Sequence, residues 1–204
     1  IDNNIGFSVK IRILDILEET MADGPGFRTS IYCAGCAHHC PGCHNPQSWD
    51  FHGGREVSVD ELLEVVKADE FADVTFSGGD PLYQVEAFTE LARRIKEETG
   101  KNIWCYTGFT YEEILSDPKM SKILPYIDTL VDGPFIQELR DPDLHFRGSS
   151  NQRLIHLTEE KDDAITGTVP MTPFNKSPIR EPRARGAQRA FLRSSGLWYL
   201  QDNL

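Results

Sequence analysis

Short apolar stretches alternate with helix-patterned ones along most of this chain, and several apolar stretches stop at a polar loop containing glycine. No other feature constrains the fold as much. Val74–Phe76 stops at Gly78-Gly79-Asp80-Pro81, Ile103–Tyr106 at Thr107-Gly108, and Ile127–Val131 at Asp132-Gly133-Pro134. Ser58 is placed to cap a helix over 59–68, whose apolar face is Leu62, Leu63, Val65 and Val66. Phe88, Leu91 and Ile95 keep helical spacing over 84–98, and 111–123 also reads as helix. Upstream, 9–16 alternates apolar and polar residues as a half-buried strand does, and Thr29–Tyr32 reads as a short strand. Strands that alternate with helices imply parallel βαβ units. Right-handed crossovers bring the loops after the strands to one sheet edge, where α/β sheets and barrels bind ligands. The expected class is α/β. There are too few units for an eight-fold barrel, so the expected form is a partial or open (βα) barrel of parallel strands.

The Thr29–Tyr32 strand runs into CAGCAHHCPGC, which places Cys33, Cys36, Cys40 and Cys43 within eleven residues; the only other cysteine is Cys105. Thiolates this dense on a Gly- and Pro-containing loop hold a soft metal or an iron–sulfur cluster. Spacing leaves two readings open. All four can form a closed structural site, although three residues between Cys36 and Cys40 are cramped for a tetrahedral four-thiolate zinc. Alternatively, Cys36, Cys40 and Cys43 hold three irons of a 4Fe–4S cluster. One iron then lacks a protein ligand, and Cys33 is a bystander at the strand end.

Bulk properties narrow the classes. With 204 residues, the chain can bury one ordinary core. A net charge of -11 argues against general binding to a nucleic-acid backbone. No apolar run is long enough to cross a bilayer. The opening IDNNIGFSVK lacks the pattern of a signal peptide. A reducing, cytoplasmic setting is therefore expected, in which clustered cysteines favour metal over disulfides. Residues 158–204 lose the βα rhythm and gather Pro170, Pro173, Pro178 and Pro182 with basic residues. They are expected to be a flexible or loosely docked tail with one helix around 187–200, separate from a domain over 1–157.

C-x3-C-x2-C is the signature of the radical S-adenosylmethionine enzymes, which this chain resembles over roughly 8–157. GCAHHCPGCHNPQSW (35–49) and DGPGFRTSIY (23–32) are similar to the activating proteins of glycyl radical enzymes. VDGPFIQELRDPDLHFRGSSNQRLIHL (131–157) resembles the branch that activates anaerobic ribonucleoside-triphosphate reductase. SGGDPL (77–82) looks like the superfamily's S-adenosylmethionine-binding motif. The resemblance implies a 4Fe–4S cluster on Cys36, Cys40 and Cys43, with S-adenosylmethionine chelating the open iron and lying near Gly78, Gly79, Asp80, Thr107 and Gly108. It implies an oxidoreductase that cleaves S-adenosylmethionine reductively and generates a glycyl radical on the reductase. It also implies an electron donor such as flavodoxin or ferredoxin. Gly42 stands where many superfamily members place an aromatic residue against the adenine. Two alternatives stand beside this: activation of another glycyl radical enzyme of the pyruvate formate-lyase type, or a non-catalytic module built on a four-cysteine metal site.

Each residue also has a plain structural reading. Gly78-Gly79-Asp80-Pro81 can be a strand-to-helix turn with Pro81 at the first helical position, and Thr107 can be a helix cap. Asp80 can instead contact the ammonium of S-adenosylmethionine. His38, His39 and His44 are not needed as ligands, since three thiolates suffice. Asn45 and Trp49 are read as closing the cysteine loop. The polar run Arg147, Ser149, Ser150, Asn151 and Gln152 is either a site wall or partner surface, or a capped turn. Cys105 reads as a small core residue.

Overall fold

The computed structural model describes residues 9–158. Seven strands form one open sheet: β1 (Lys10–Thr20), β2 (Arg28–Cys33), β3 (Arg55–Ser58), β4 (Asp73–Gly78), β5 (Ile103–Tyr106), β6 (Thr129–Asp132) and β7 (Arg153–His156). The order across the sheet is β3-β1-β2-β4-β5-β6-β7. Strands β2, β4, β5 and β6 run parallel, as the alternation requires. The outer pairs β3-β1, β1-β2 and β6-β7 are antiparallel. The class is therefore mixed α/β around a parallel centre. The expectation of parallel strands throughout is corrected at both flanks, and no barrel is closed.

The antiparallel flanks have local causes. Strand β1 folds back on β2 through the short Gly/Pro turn near 21–27, which is too short for a crossover. Register shifts between Ile13 and Asp15, and again between Leu17 and Thr20, break its apolar alternation, so only the first half shows the strand pattern. Strands β3 and β7 have four residues each, too few for a periodic signal to stand out.

Three α-helices fill the crossovers: α1 (Val59–Ala68), α2 (Val85–Thr99) and α3 (Tyr111–Ser116). Helix α1 starts where Ser58 accepts from the Glu61 amide while the Glu61 side chain takes the Ser58 amide, a reciprocal capping box. Helix α2 ends at Gly100, whose φ of 70° supplies the left-handed cap. The expected helix over 111–123 is split, because Pro118 forces Asp117 to an extended ψ of 117°. The chain resumes as a 3-10 helix over Met120–Tyr126.

One sheet face packs Ile31, Val74, Phe76, Ile103, Cys105 and Leu130 against Leu62, Leu63, Val66, Phe88, Leu91 and Ile95 of the helices. Each such aliphatic or aromatic side chain contributes roughly 1.5–3 kcal/mol by burial. Cys105 is fully buried there, as expected. Strand alternation turns Ser30, Thr75 and Trp104 to the opposite face, in register with one another. Among the described residues no helix is long and apolar enough to cross a membrane. Of the expected tail over 158–204, residues 159–204, including the helix around 187–200, lie outside the described residues.

Candidate functional site

The parallel register brings the loops to one edge. Cys33 ends β2 directly opposite Gly78, the last residue of β4. The ladder continues past the strands: the Gly79 amide donates to the Cys33 carbonyl at 2.8 Å, and the Asp80 amide to the Gly35 carbonyl at 3.0 Å. The cysteine loop and the glycine loop are thus stitched together where they leave the sheet. The Gly35 amide bonds the Ser48 carbonyl and the Cys36 amide the Trp49 carbonyl, which closes the cysteine loop on itself. Trp49 packs edge-on against His39 within that loop.

The four thiols separate into two kinds. Cys33 is fully buried in the apolar core with Cys105, and burial raises its pKa well above the ordinary thiol value. Cys36, at 8% exposure, and the half-buried Cys40 and Cys43 stay on the loop, and none of the five cysteines is in a disulfide. Burial pushes Cys36 up to about 11, opposed by the His38 backbone N–H. Burial raises Cys40 too, opposed by the backbone N–H of Phe135. The Asn45 amide donates to Cys43 Sγ at 3.4 Å. The Asn45 amide donor fits a Cys43 sulfur carrying negative charge in an iron–sulfur cluster. The buried Asn45 Oδ1 beside them has no hydrogen-bond partner among the described residues. No three His, Cys, Asp or Glu side chains among the described residues are placed to hold a single metal ion. A cluster instead takes one thiolate on each of three separate irons.

The glycine loop is more crowded than its sequence suggests. A Cβ on Gly78, where φ is 101°, would lie 2.5 Å from the Cys33 nitrogen. One on Gly79 would lie 2.5 Å from the Gly35 carbonyl oxygen. The missing side chains let the two loops approach each other, whatever else they admit.

Asp80 is fully buried. Its Oδ1 accepts from the Leu82 amide at 2.9 Å and the Thr107 hydroxyl at 3.0 Å. Its Oδ2 lies 2.9 Å from the Gly108 amide and from His38 Nε2. These donors occupy the carboxylate's lone pairs. Asp80 therefore joins three loops: its own, Thr107–Gly108 after β5, and the cysteine loop through His38. His38 is no bystander in this arrangement. It lies against Phe109 at 4.6 Å between centroids, and its ring fills the space a Gly108 side chain would need. Sequence reasoning weighed His38 as a metal ligand or a donor to sulfur, since nothing local shows that its partner is 42 residues away. The polar run at 147–152 lies one loop further along the edge, beneath residues 133–137.

The family comparison agrees with this geometry. Residues 22–155 match the model of a 4Fe-4S single cluster domain. The anaerobic ribonucleoside-triphosphate reductase-activating protein of Haemophilus influenzae is 41% identical over 144 residues, 66% of this chain and 90% of that protein. This chain belongs to the anaerobic ribonucleoside-triphosphate reductase-activating protein family. The activating protein of Vibrio cholerae serotype O1 is 39% identical over 68% of this chain and 93% of its own length. That of Enterobacteria phage T4 is 35% identical over 67% and 88%. The structure of QueE from Escherichia coli overlaps 60% of this chain and 70% of its own at 15% identity and a TM-score of 0.41, too loose to carry an argument. The match to the 4Fe-4S single cluster domain spans both loops described above.

Proposed function

We propose that this chain is a radical S-adenosylmethionine activase whose target is anaerobic ribonucleoside-triphosphate reductase, built as an open (βα) barrel. The observation that carries the proposal is the sorting of the thiols. Cys36, Cys40 and Cys43 stay together on one loop, while Cys33 is withdrawn into the core. Three thiolates leave one iron of a 4Fe–4S cluster free for a small ligand, whereas a fourth on the same face would block it. Bound there, cluster and S-adenosylmethionine supply one chemistry: an electron breaks the sulfonium C–S bond, giving methionine and a 5′-deoxyadenosyl radical that takes a hydrogen atom from a glycine of the reductase.

The chain's own residues hold and orient. Cys36, Cys40 and Cys43 are the iron ligands. The backbone of Gly78 and Gly79, with the Thr107–Gly108 edge, lines the S-adenosylmethionine side. Asp80, its carboxylate filled by protein donors, fixes the three loops relative to one another. The electron comes from a small reductant protein such as flavodoxin or ferredoxin.

The test is anaerobic reconstitution followed by reduction in the presence of S-adenosylmethionine and the reductase. The expected result is iron with acid-labile sulfide, methionine and 5′-deoxyadenosine as products, and a glycyl doublet on the reductase in electron paramagnetic resonance. Cys36→Ala, Cys40→Ala and Cys43→Ala each abolish all of these, while Cys33→Ala keeps the iron. Zinc without iron in the anaerobic protein, or equal losses from all four substitutions, overturns the proposal.

A further inference from the structure

Gln84 closes the turn after Gly78-Gly79-Asp80-Pro81, and the proposal above gives it no role. It stands at the N-cap position of α2, yet its side chain makes no capping bond there. The side-chain amide is spent on two distant segments instead. Its Oε1 accepts from the Arg12 amide at 2.8 Å, and its Nε2 donates to the Arg12 carbonyl at 2.9 Å and to the Ala34 carbonyl at 3.0 Å. Both donors and the oxygen of the primary amide are thereby engaged.

Ala34 lies where the chain leaves β2 for the cysteine loop, two residues before Cys36, and is 1% exposed. At that end of the β1-β2 ladder the last pair is Ile13 with Cys33. One residue further, Arg12 and Ala34 are joined directly on one side only, where the Ala34 amide donates to the Arg12 carbonyl at 3.0 Å. On the other side the Gln84 amide stands between the Arg12 N–H and the Ala34 carbonyl. A peptide-like group is thus inserted where an antiparallel ladder would close its second bond. The carbonyls on either side of Ala34, those of Cys33 and Gly35, take the backbone amides of Gly79 and Asp80. Three successive carbonyls at the root of the cysteine loop are therefore held by residues of 79–84, and only the Gln84 bond comes from a side chain.

We infer that Gln84 is a positioning residue whose amide is the spacer between β1 and the root of the cysteine loop, and so sets the seat of Cys36. This inference rests on the cluster assignment proposed above. The backbone bonds fix the loop against its glycine-rich neighbour, while Gln84 fixes its spread from β1. No side chain of similar size replaces it. Glutamate carries no donor and would face two carbonyls, and methionine fills the space but leaves the Arg12 N–H and the Ala34 carbonyl unbonded.

The test uses the full-length chain and compares the parent with Gln84→Glu, Gln84→Met and Lys101→Met. Lys101 is the control: its Nζ also donates to two backbone carbonyls, that of Asp69 at 2.6 Å and that of Ala72, but at the edge where the strands begin. In reconstituted protein both Gln84 variants are expected to release iron to a chelator about tenfold faster than the parent, the scale of a lost outer contact at a metal site. Their reduced clusters are expected to show shifted g-values in electron paramagnetic resonance, whereas Lys101→Met keeps the parent rate and spectrum. A second measurement needs no iron. Alkylation of the iron-free protein, read residue by residue by mass spectrometry, is expected to speed up several-fold at Cys36 in both Gln84 variants, while Cys43 and the core Cys105 keep their rates. Parent-like alkylation at Cys36 in both variants overturns the inference. So does an equal change in Lys101→Met, or a uniform rise that includes Cys105, since either marks general loosening of the fold. A parent that takes up no iron sinks the cluster assignment instead, and the alkylation arm then decides the spacer role by itself.

Discussion

Each end of the parallel strands carries a buried charged side chain, and the two are used differently. At the edge where the strands begin, Arg28 is 1% exposed. Its guanidinium reaches Thr75 Oγ1 at 2.6 Å, the Val74 carbonyl at 2.6 Å and Asn102 Oδ1 at 3.2 Å, and its carbon centre lies 5.5 Å from the Trp104 ring centroid. At the edge where the strands end, Asp80 gathers Leu82, Thr107, Gly108 and His38. Both groups are satisfied by hydrogen bonds, which is what makes their burial tolerable. Arg28 binds strand starts to one another and is sealed by an indole. Asp80 binds loops to one another, and one of those loops carries the thiols. Stability is secured at both ends of the sheet, while the clustered thiols lie at one.

Substitution at the two ends separates these roles. Asp80→Asn turns an acceptor into a donor facing the Gly108 amide or His38. It is expected to cost about 3 kcal/mol in urea unfolding and to lower iron uptake on reconstitution as well. Arg28→Met leaves backbone carbonyls without a donor and is expected to cost about 2 kcal/mol. Iron content per folded molecule stays at the parent level. Loss of iron from Arg28→Met equal to that from Asp80→Asn would erase the contrast between the two ends. The smallest effect comes from the rim. Arg153 holds the Glu112 carboxyl down to about 2 from its ordinary 4.5. A depressed folded-state value stabilises the fold above the ordinary value, and that contribution fades as pH falls from 4.5 towards 2. Glu112→Gln is therefore expected to lower stability slightly at neutral pH, with variant and parent converging as pH falls towards 2.

What was legible in the sequence was local or periodic. The start of α1 could be read because its cap, Ser58, is the residue just before it. The meeting of the cysteine and glycine loops followed from strand alternation and crossover handedness alone. What was hidden depended on partners far along the chain. Nothing near Ser149 or Gln152 announces that their partners lie at 133–136, so wall and turn could not be told apart. Asp80 was read as a candidate ligand contact because the residues that fill its carboxylate, Thr107, Gly108 and His38, are 27, 28 and 42 positions away. The direction of β1 against β2 turned on a short connection whose residues read only as a turn.

The bond from the Gly79 amide to the Cys33 carbonyl extends the β2-β4 ladder one rung beyond the strands. That rung acts as a ruler. It fixes the offset between the start of the sulfur-bearing loop and the start of its neighbour at the spacing of paired strands, about 4.8 Å. Neither loop can drift from the other without unzipping the sheet, so the offset between the two loops is held by the backbone and not by side chains that can swing.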